Sequence, residues 1–349
     1  MASFYEHDRT VFFPGKLGLP VVELKRMNSA HDYSTKLFIE YSDCIENTKL
    51  GQEVLAKLKA DPRLSCLEGE MLSRGSGAGI FDVKNLAQWF LWHANNVGQE
   101  LAVIDLELFL NSKEISVINS LWITGIEVDE EIEIEDGISL RPAKSMPDSR
   151  EKEFFLQNDF HSTGLQTLKP SCVIAKNVKI PRITSKESSV FSPALGHVFW
   201  TSKKRFYDIA LLLNVLPNVT CLPYYDTAHL EASTPVGPFG GTGGGTPIYD
   251  IPAKQTVKLT QESVVLLREL LINFSLMNEK SRGRIKTAIH RLSQSKRRFQ
   301  LEDQILDLGI AMEMLLLDNK PDQLALSFRL RGSWLLSTNN TENFKIIKL

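Results

Sequence analysis

The chain has 349 residues, with 40 Lys+Arg against 42 Asp+Glu and a formal net charge of −2. That length leaves room for two or three hydrophobic cores, and 43% hydrophobic with 23% charged residues excludes a disordered chain. The near-neutral balance excludes a global pull toward nucleic acid, so any such attraction has to be local.

In chain order, Met1 to Asp8 shows no basic stretch followed by an apolar one, so no secretory signal is expected. Lys36 to Tyr41 alternates like a strand, and Leu50 to Ala60 has the spacing of a short helix. Gly75, Gly77 and Gly79 precede a helix from about Val83 to Asn95. They lack both the Gly-Lys-Ser/Thr ending and the dinucleotide spacing of a phosphate loop, so a flexible turn is expected. His93 on that helix reads as a packed or surface histidine. Ile115 to Glu127 and Glu130 to Leu140 read as strands. In the second, Glu131, Glu133 and Glu135 alternate with Ile132 and Ile134, and Asp136-Gly137 is a hairpin turn. With no His or Cys beside them, these carboxylates predict a solvated strand face and no metal. A helix is expected at Asp148 to Gln157, a strand at Val173 to Ile183, a helix at Ser202 to Leu216 and a strand at Val219 to Tyr225. The glycine-rich run Pro235 to Pro247 reads as a mobile surface loop, with gating or substrate contact as an alternative role. The cysteines, Cys44, Cys66, Cys172 and Cys221, have no metal-type spacing and fit buried thiols in a reducing cytoplasm. The densest apolar run, Ile209 to Leu216, is too short to span a membrane.

The last quarter carries the chemistry. Helices are predicted from Glu279 to Arg298, Leu301 to Leu317 and Leu324 to Leu336. On a wheel of about 100° per residue, Leu324, Phe328, Trp334 and Leu335 share a face with Arg331 in its middle. A core-facing guanidinium keeps its charge and needs an acid or a phosphate beside it. The preceding helix presents Leu301, Ile305, Leu308, Met312 and Leu315 as its main core stripe, and Glu313 lies on a narrow strip at its side, partly buried. Arg331 with Glu313 then forms either a structural ion pair or the frame of an active or phosphate-binding site. Upstream, Lys280, Arg282, Arg284, Lys286, Arg291, Lys296, Arg297 and Arg298 stand with no acid among them. Two expectations follow: an RNA-binding stripe, or arginines that pair internally with Glu302, Asp303 and Asp307. Arg284 and His290 form a further Arg-to-His pair, read either as catalytic or as part of a solvated basic face.

The run from Arg297 to Asp307, then Ile310 to Leu316, then Arg331 before Trp334-Leu335-Leu336, resembles the Apea-like HEPN domain over about the last ninety residues. The resemblance implies an all-helical, dimeric domain of RNA-cleaving toxins and antiviral defence proteins. It also implies a ribonuclease motif in which a histidine follows an arginine by four to six residues on a late helix. No histidine follows Arg331. The chain is therefore expected either to be truncated before that motif or to lack the catalytic helix.

The expected architecture is α+β. It comprises a strand-rich N-terminal region with helical insertions (1–165), a mixed region holding the glycine-rich loop (166–258), and an all-helical HEPN-like bundle (259–349). The resemblance implies a metal-independent endoribonuclease of a toxin or antiviral defence system, without a cofactor. In it Arg331 and Glu313 form a supporting shell, and RNA and a second copy are the partners. The alternative is a non-catalytic scaffold that binds RNA or a protein. The N-terminal region is expected to recognise a protein or phage-derived trigger.

Overall fold

The computed structural model describes residues 41–74, 77–147, 152, 155–156, 169–183, 193–230, 233–235 and 253–316. Helices α1 (Tyr41–Asn47) and α2 (Lys49–Ala60) meet at Thr48, whose hydroxyl donates to the Cys44 carbonyl (2.6 Å) and accepts from the Gly51 amide (2.9 Å). One Thr thus ends one helix and caps the next. A Cβ at Gly51 would lie 2.3 Å from the Cys44 oxygen, so the joint admits only glycine. After α3 (Pro62–Ser65), strands β1 (Met71–Arg74) and β2 (Gly77–Ile80) form a hairpin, the structural context of the glycine run. Helix α4 (Val83–Val97), capped by Asp82, turns at Gly98 into α5 (Gln99–Asn111). Trp89, Phe90, Tyr41, Leu58 and Leu64 fill the core among these helices.

The chain then builds one antiparallel sheet from β3 (Glu114–Thr124), β5 (Ile132–Glu135), β6 (Ile138–Pro142), β7 (Cys172–Pro181) and β8 (Leu222–Leu230). Its order is β5-β6-β7-β3-β8. Strand β3 lies between β7 and the edge strand β8 and, at about 3.4 Å per residue, is long enough to serve two cores with one face. Val117 joins the N-terminal helical core, while Leu121 and Ile123 join a second core with α6 (Pro193–Leu213) and α7 (Gln261–Leu276). The opposite face carries Ile118 and Trp122 against Phe155 and Met146. Asp136 and Gly137 both have positive φ, 40° and 72°, and close the β5–β6 hairpin as their dipeptide demands.

A short parallel pair, β4 (Ile126–Glu127) with β9 (Val257–Lys258), ties the end of the sheet to the C-terminal helices. Its approach requires Gly125: φ is 87°, and a Cβ there would lie 1.9 Å from the Thr220 oxygen. Helices α7, α8 (Glu279–Arg297) and α9 (Leu301–Leu316) follow.

The molecule is α+β, with helical layers around an antiparallel sheet and helices at its C-terminal end. Strands from both sides of residue 165 share that sheet, and between residues 41 and 111 helices outnumber the one hairpin. The expected helix at Asp148 to Gln157 lies outside the described residues except for Lys152, Phe155 and Leu156, where the backbone is helical. The strand expected at Lys36 lies outside them up to Glu40, and Tyr41 opens a helix. Most of the glycine-rich run and the helix expected at Leu324 to Leu336 also lie outside them.

Candidate functional site in the C-terminal helices

Helix α8 starts at Asn278, whose side-chain oxygen accepts from the Ser281 amide (2.9 Å), and Glu279 adds a negative charge at the positive end of the helix dipole. It turns through Arg298-Phe299-Gln300 into α9, which lies against it. The carboxylate that holds this hairpin together is Asp307. Its side chain is only 4% exposed and accepts from Arg291 Nη1 (3.1 Å) on one oxygen and from Arg298 Nε (2.9 Å) on the other. Two guanidiniums on one buried carboxylate satisfy the condition that a buried charge be paired and hydrogen-bonded.

Other members of the basic stripe also turn to internal work. Lys296 Nζ donates to three carbonyls, those of Asn214 (2.7 Å), Leu216 (2.9 Å) and Val219 (3.0 Å). These carbonyls lie at and just beyond the C-terminal end of α6, where a cation meets the negative end of the dipole. An ammonium has three protons, and all three find acceptors. Burial pushes the Lys296 pKa below its ordinary value. Arg284 reaches the Met314 carbonyl near the end of α9 (3.0 Å from Nη2). Lys286 pairs with Asp208 of α6 (2.5 Å) and lies over the Phe274 ring. Arg297 is buried and donates from Nε to the Ser293 carbonyl (3.1 Å). Lys280 is exposed and Arg282 half-buried, and among the described residues neither forms an ion pair. For Arg291 and Arg298, the internal-pairing expectation is the one seen, with Asp307 as the acid.

Two sequence expectations change here. Glu313 is exposed on α9, not partly buried, because α9 packs on α8 through Asp307, Ala311, Gln304 and Met314. That side lies about 100° around the helix from the apolar stripe. The stripe itself, expected in the core, faces outward: Leu301, Ile305, Leu308 and Leu315 are all exposed. Arg331, the expected partner of Glu313, lies outside the described residues. Arg284 and His290 are six residues apart on one helix, which sets them about 120° apart around it and roughly 9 Å along it. Arg284 is held at the end of α9 while His290 faces solvent, so the two do not converge on one point. The His290 pKa is held below the usual imidazole value, first by loss of solvent around the ring and then by the Arg297 and Arg291 charges.

Outside this hairpin the strongest polar constellation is His93, buried in α4. Its Nε2 lies 2.7 Å from Asp105 of α5, and its ring stacks on Trp89 at 4.9 Å and on Trp92 at 5.9 Å. It is a packed histidine that joins two helices. The acidic strand finds basic partners: Glu131 accepts from Arg141 (2.9 Å) and Ser139 (2.7 Å), and Glu135 pairs with Arg205.

The fold class is therefore α+β, and no helix among the described residues is long and apolar enough to cross a membrane. No protein-family model, curated protein or solved structure matches the chain.

Proposed function

We propose that the C-terminal helices form a HEPN-like domain that acts on RNA as a metal-independent endoribonuclease of a toxin or antiviral defence system. The observation that carries this reading is the α8–α9 hairpin. Of the residues on which the resemblance rests, Arg297 to Asp307 and Ile310 to Leu316 form its corner and its second helix, locked by the Arg291–Asp307–Arg298 cluster, while Arg331 and Trp334 to Leu336 lie outside the described residues. In this chemistry a histidine moves the proton of the ribose 2′-hydroxyl as it attacks, and an arginine stabilises the charge growing on the phosphate. Arg331 and Glu313 would serve as the supporting shell, and the N-terminal region would sense the trigger. Such a domain works as a homodimer, and α7 offers a face for pairing, since Val265, Ile272 and Leu276 are exposed along one side. RNA cleavage by the full-length natural protein in a chelator tests the proposal. Cleavage that Arg331→Ala abolishes, together with a dimer in sedimentation at micromolar concentration, is the expected result. An activated protein that leaves RNA intact overturns it.

A non-catalytic scaffold is the second reading, and one observation favours it. Six of the eight basic residues from Lys280 to Arg298 are engaged with protein acceptors, which leaves Lys280 and Arg282 at the surface end of α8. RNA attraction would then centre on these two. Lys280→Glu with Arg282→Glu should weaken RNA binding and reduce its salt slope by about two.

A further inference from the structure

Strand β3 puts a polar residue between its two cores. Side chains two residues apart share a face of a strand, and on this face Val117 belongs to the N-terminal core and Leu121 to the second. Asn119 stands between them. The register sets Lys176 of β7 on one side of it and Ala228 of β8 on the other. Lys176 has the same place on its own strand, between Ile174 of the second core and Val178, which packs on the first. A polar pair thus lies across two strands where the two apolar layers meet.

Both members of that pair lack partners. Asn119 is 3% exposed, and among the described residues neither its amide nitrogen nor its amide oxygen has a hydrogen-bond partner. Such an amide has given up its water and gained nothing in exchange, which native interiors rarely tolerate. Lys176 is half-buried, and among the described residues it forms no hydrogen bond or ion pair. The acid on the neighbouring strand, Asp226 of β8, is engaged elsewhere: Lys203 Nζ of α6 lies 2.8 Å from it, and the Tyr207 hydroxyl donates to it at 3.3 Å.

We propose that Asn119 and Lys176 form a binding site for inorganic phosphate. Directly opposed residues on paired strands have Cβ atoms about 5 Å apart, so the lysine stem brings its ammonium to an ion held by the amide. The amide needs an acceptor for Nδ2 and a donor for Oδ1. Near neutral pH inorganic phosphate is both at once, since its oxygens accept from Nδ2 and Nζ while its remaining O–H donates to Oδ1. Sulfate has the same shape but no proton, and it leaves Oδ1 bare. A phosphate monoester, whose second pKa is about 6, has mostly lost that proton at pH 7. A water molecule would answer the amide but leave the half-buried ammonium without a countercharge. The site is independent of the RNA reading: it needs neither cleavage nor RNA binding.

The test uses the full chain, equilibrium dialysis with radiolabelled inorganic phosphate near neutral pH, and unlabelled sulfate as competitor at constant ionic strength. One phosphate per chain should bind saturably. Sulfate should compete at least about tenfold more weakly, the cost of one buried acceptor left bare. Lys176→Met keeps the apolar stem and should weaken phosphate at least about tenfold. Lys179→Met, exposed on the opposite face of β7, should leave binding unchanged. Asn119→Leu should lose the binding without a fall in melting temperature, because it removes the orphan amide. If that variant fails to fold, Lys176→Met still decides. Absence of saturable binding, equal competition by sulfate, or equal effects of Lys176→Met and Lys179→Met overturns the proposal. So does a folded Asn119→Leu that binds phosphate as the parent does.

Discussion

Replacing Lys296 with methionine removes the ammonium and keeps most of the apolar stem, so the variant isolates the three hydrogen bonds to the Asn214, Leu216 and Val219 carbonyls. A carbonyl left without its donor where water is excluded costs about 1–3 kcal/mol. Lys296 is half-buried, so water can replace part of the loss, and the variant no longer desolvates a charge. The net expectation is a destabilisation of about 2–3 kcal/mol. For a body of this size each kcal/mol lowers the melting temperature by roughly 2–4 °C, so a fall of about 5–10 °C is expected. Calorimetry or thermal circular dichroism measures it, with Lys280→Met as the control, because Lys280 is exposed. The contrast also separates roles: a lysine that serves RNA would change binding and leave the melting point alone. If Lys296→Met and Lys280→Met melt within about 1 °C of each other, the helix-end role is wrong, whatever the variants do to RNA.

Other consequences follow from the same geometry. Asp307→Asn keeps the shape but takes the countercharge from two arginines that remain a third exposed, and it should cost about 2 kcal/mol in urea unfolding, less than the full penalty for a dry pair. A variant as stable as the parent would show that solvent already screens the cluster. Gly125→Ala places a Cβ against the Thr220 oxygen at a left-handed φ and should lower stability by at least about 2 kcal/mol; unchanged unfolding would mean the β4–β9 junction relaxes freely. His290 has a folded-state pKa below its ordinary 6.5, so the unfolded chain takes up the proton first. Its contribution is full above pH 6.5 and is lost as pH falls through the lower folded-state value. In His290→Gln that part of the acid-side decline should disappear, and an identical stability profile from pH 7.5 to about 4.5 would count against it.

Wherever a local rule decides, the sequence alone determined the element. Asp136-Gly137 can hold two consecutive left-handed residues, so the hairpin it marks is present, with Ile132 paired to Leu140 across it. The bounds of α8 and α9 follow from caps and apolar spacing to within a residue of those expected. The even apolar–polar alternation before Asp136 likewise placed β5. What periodicity cannot supply is the identity of the neighbour. Helix α9 is apolar on more than one side, and the wheel pointed its strongest stripe at the core. The tertiary structure instead turns Asp307 toward α8, where the Arg291 and Arg298 guanidiniums both reach its buried carboxylate. That pairing left a trace in the sequence, a run of cations from Lys280 to Arg298 with no acid among them, beside a helix without bases. The partners of Lys296 left none, since its three carbonyls lie 77 to 82 residues away and any backbone offers carbonyls. Only the folding of α6 onto the sheet, with its C-terminal end presented to α8, decided that this lysine would cap a helix while Lys280 stayed in water.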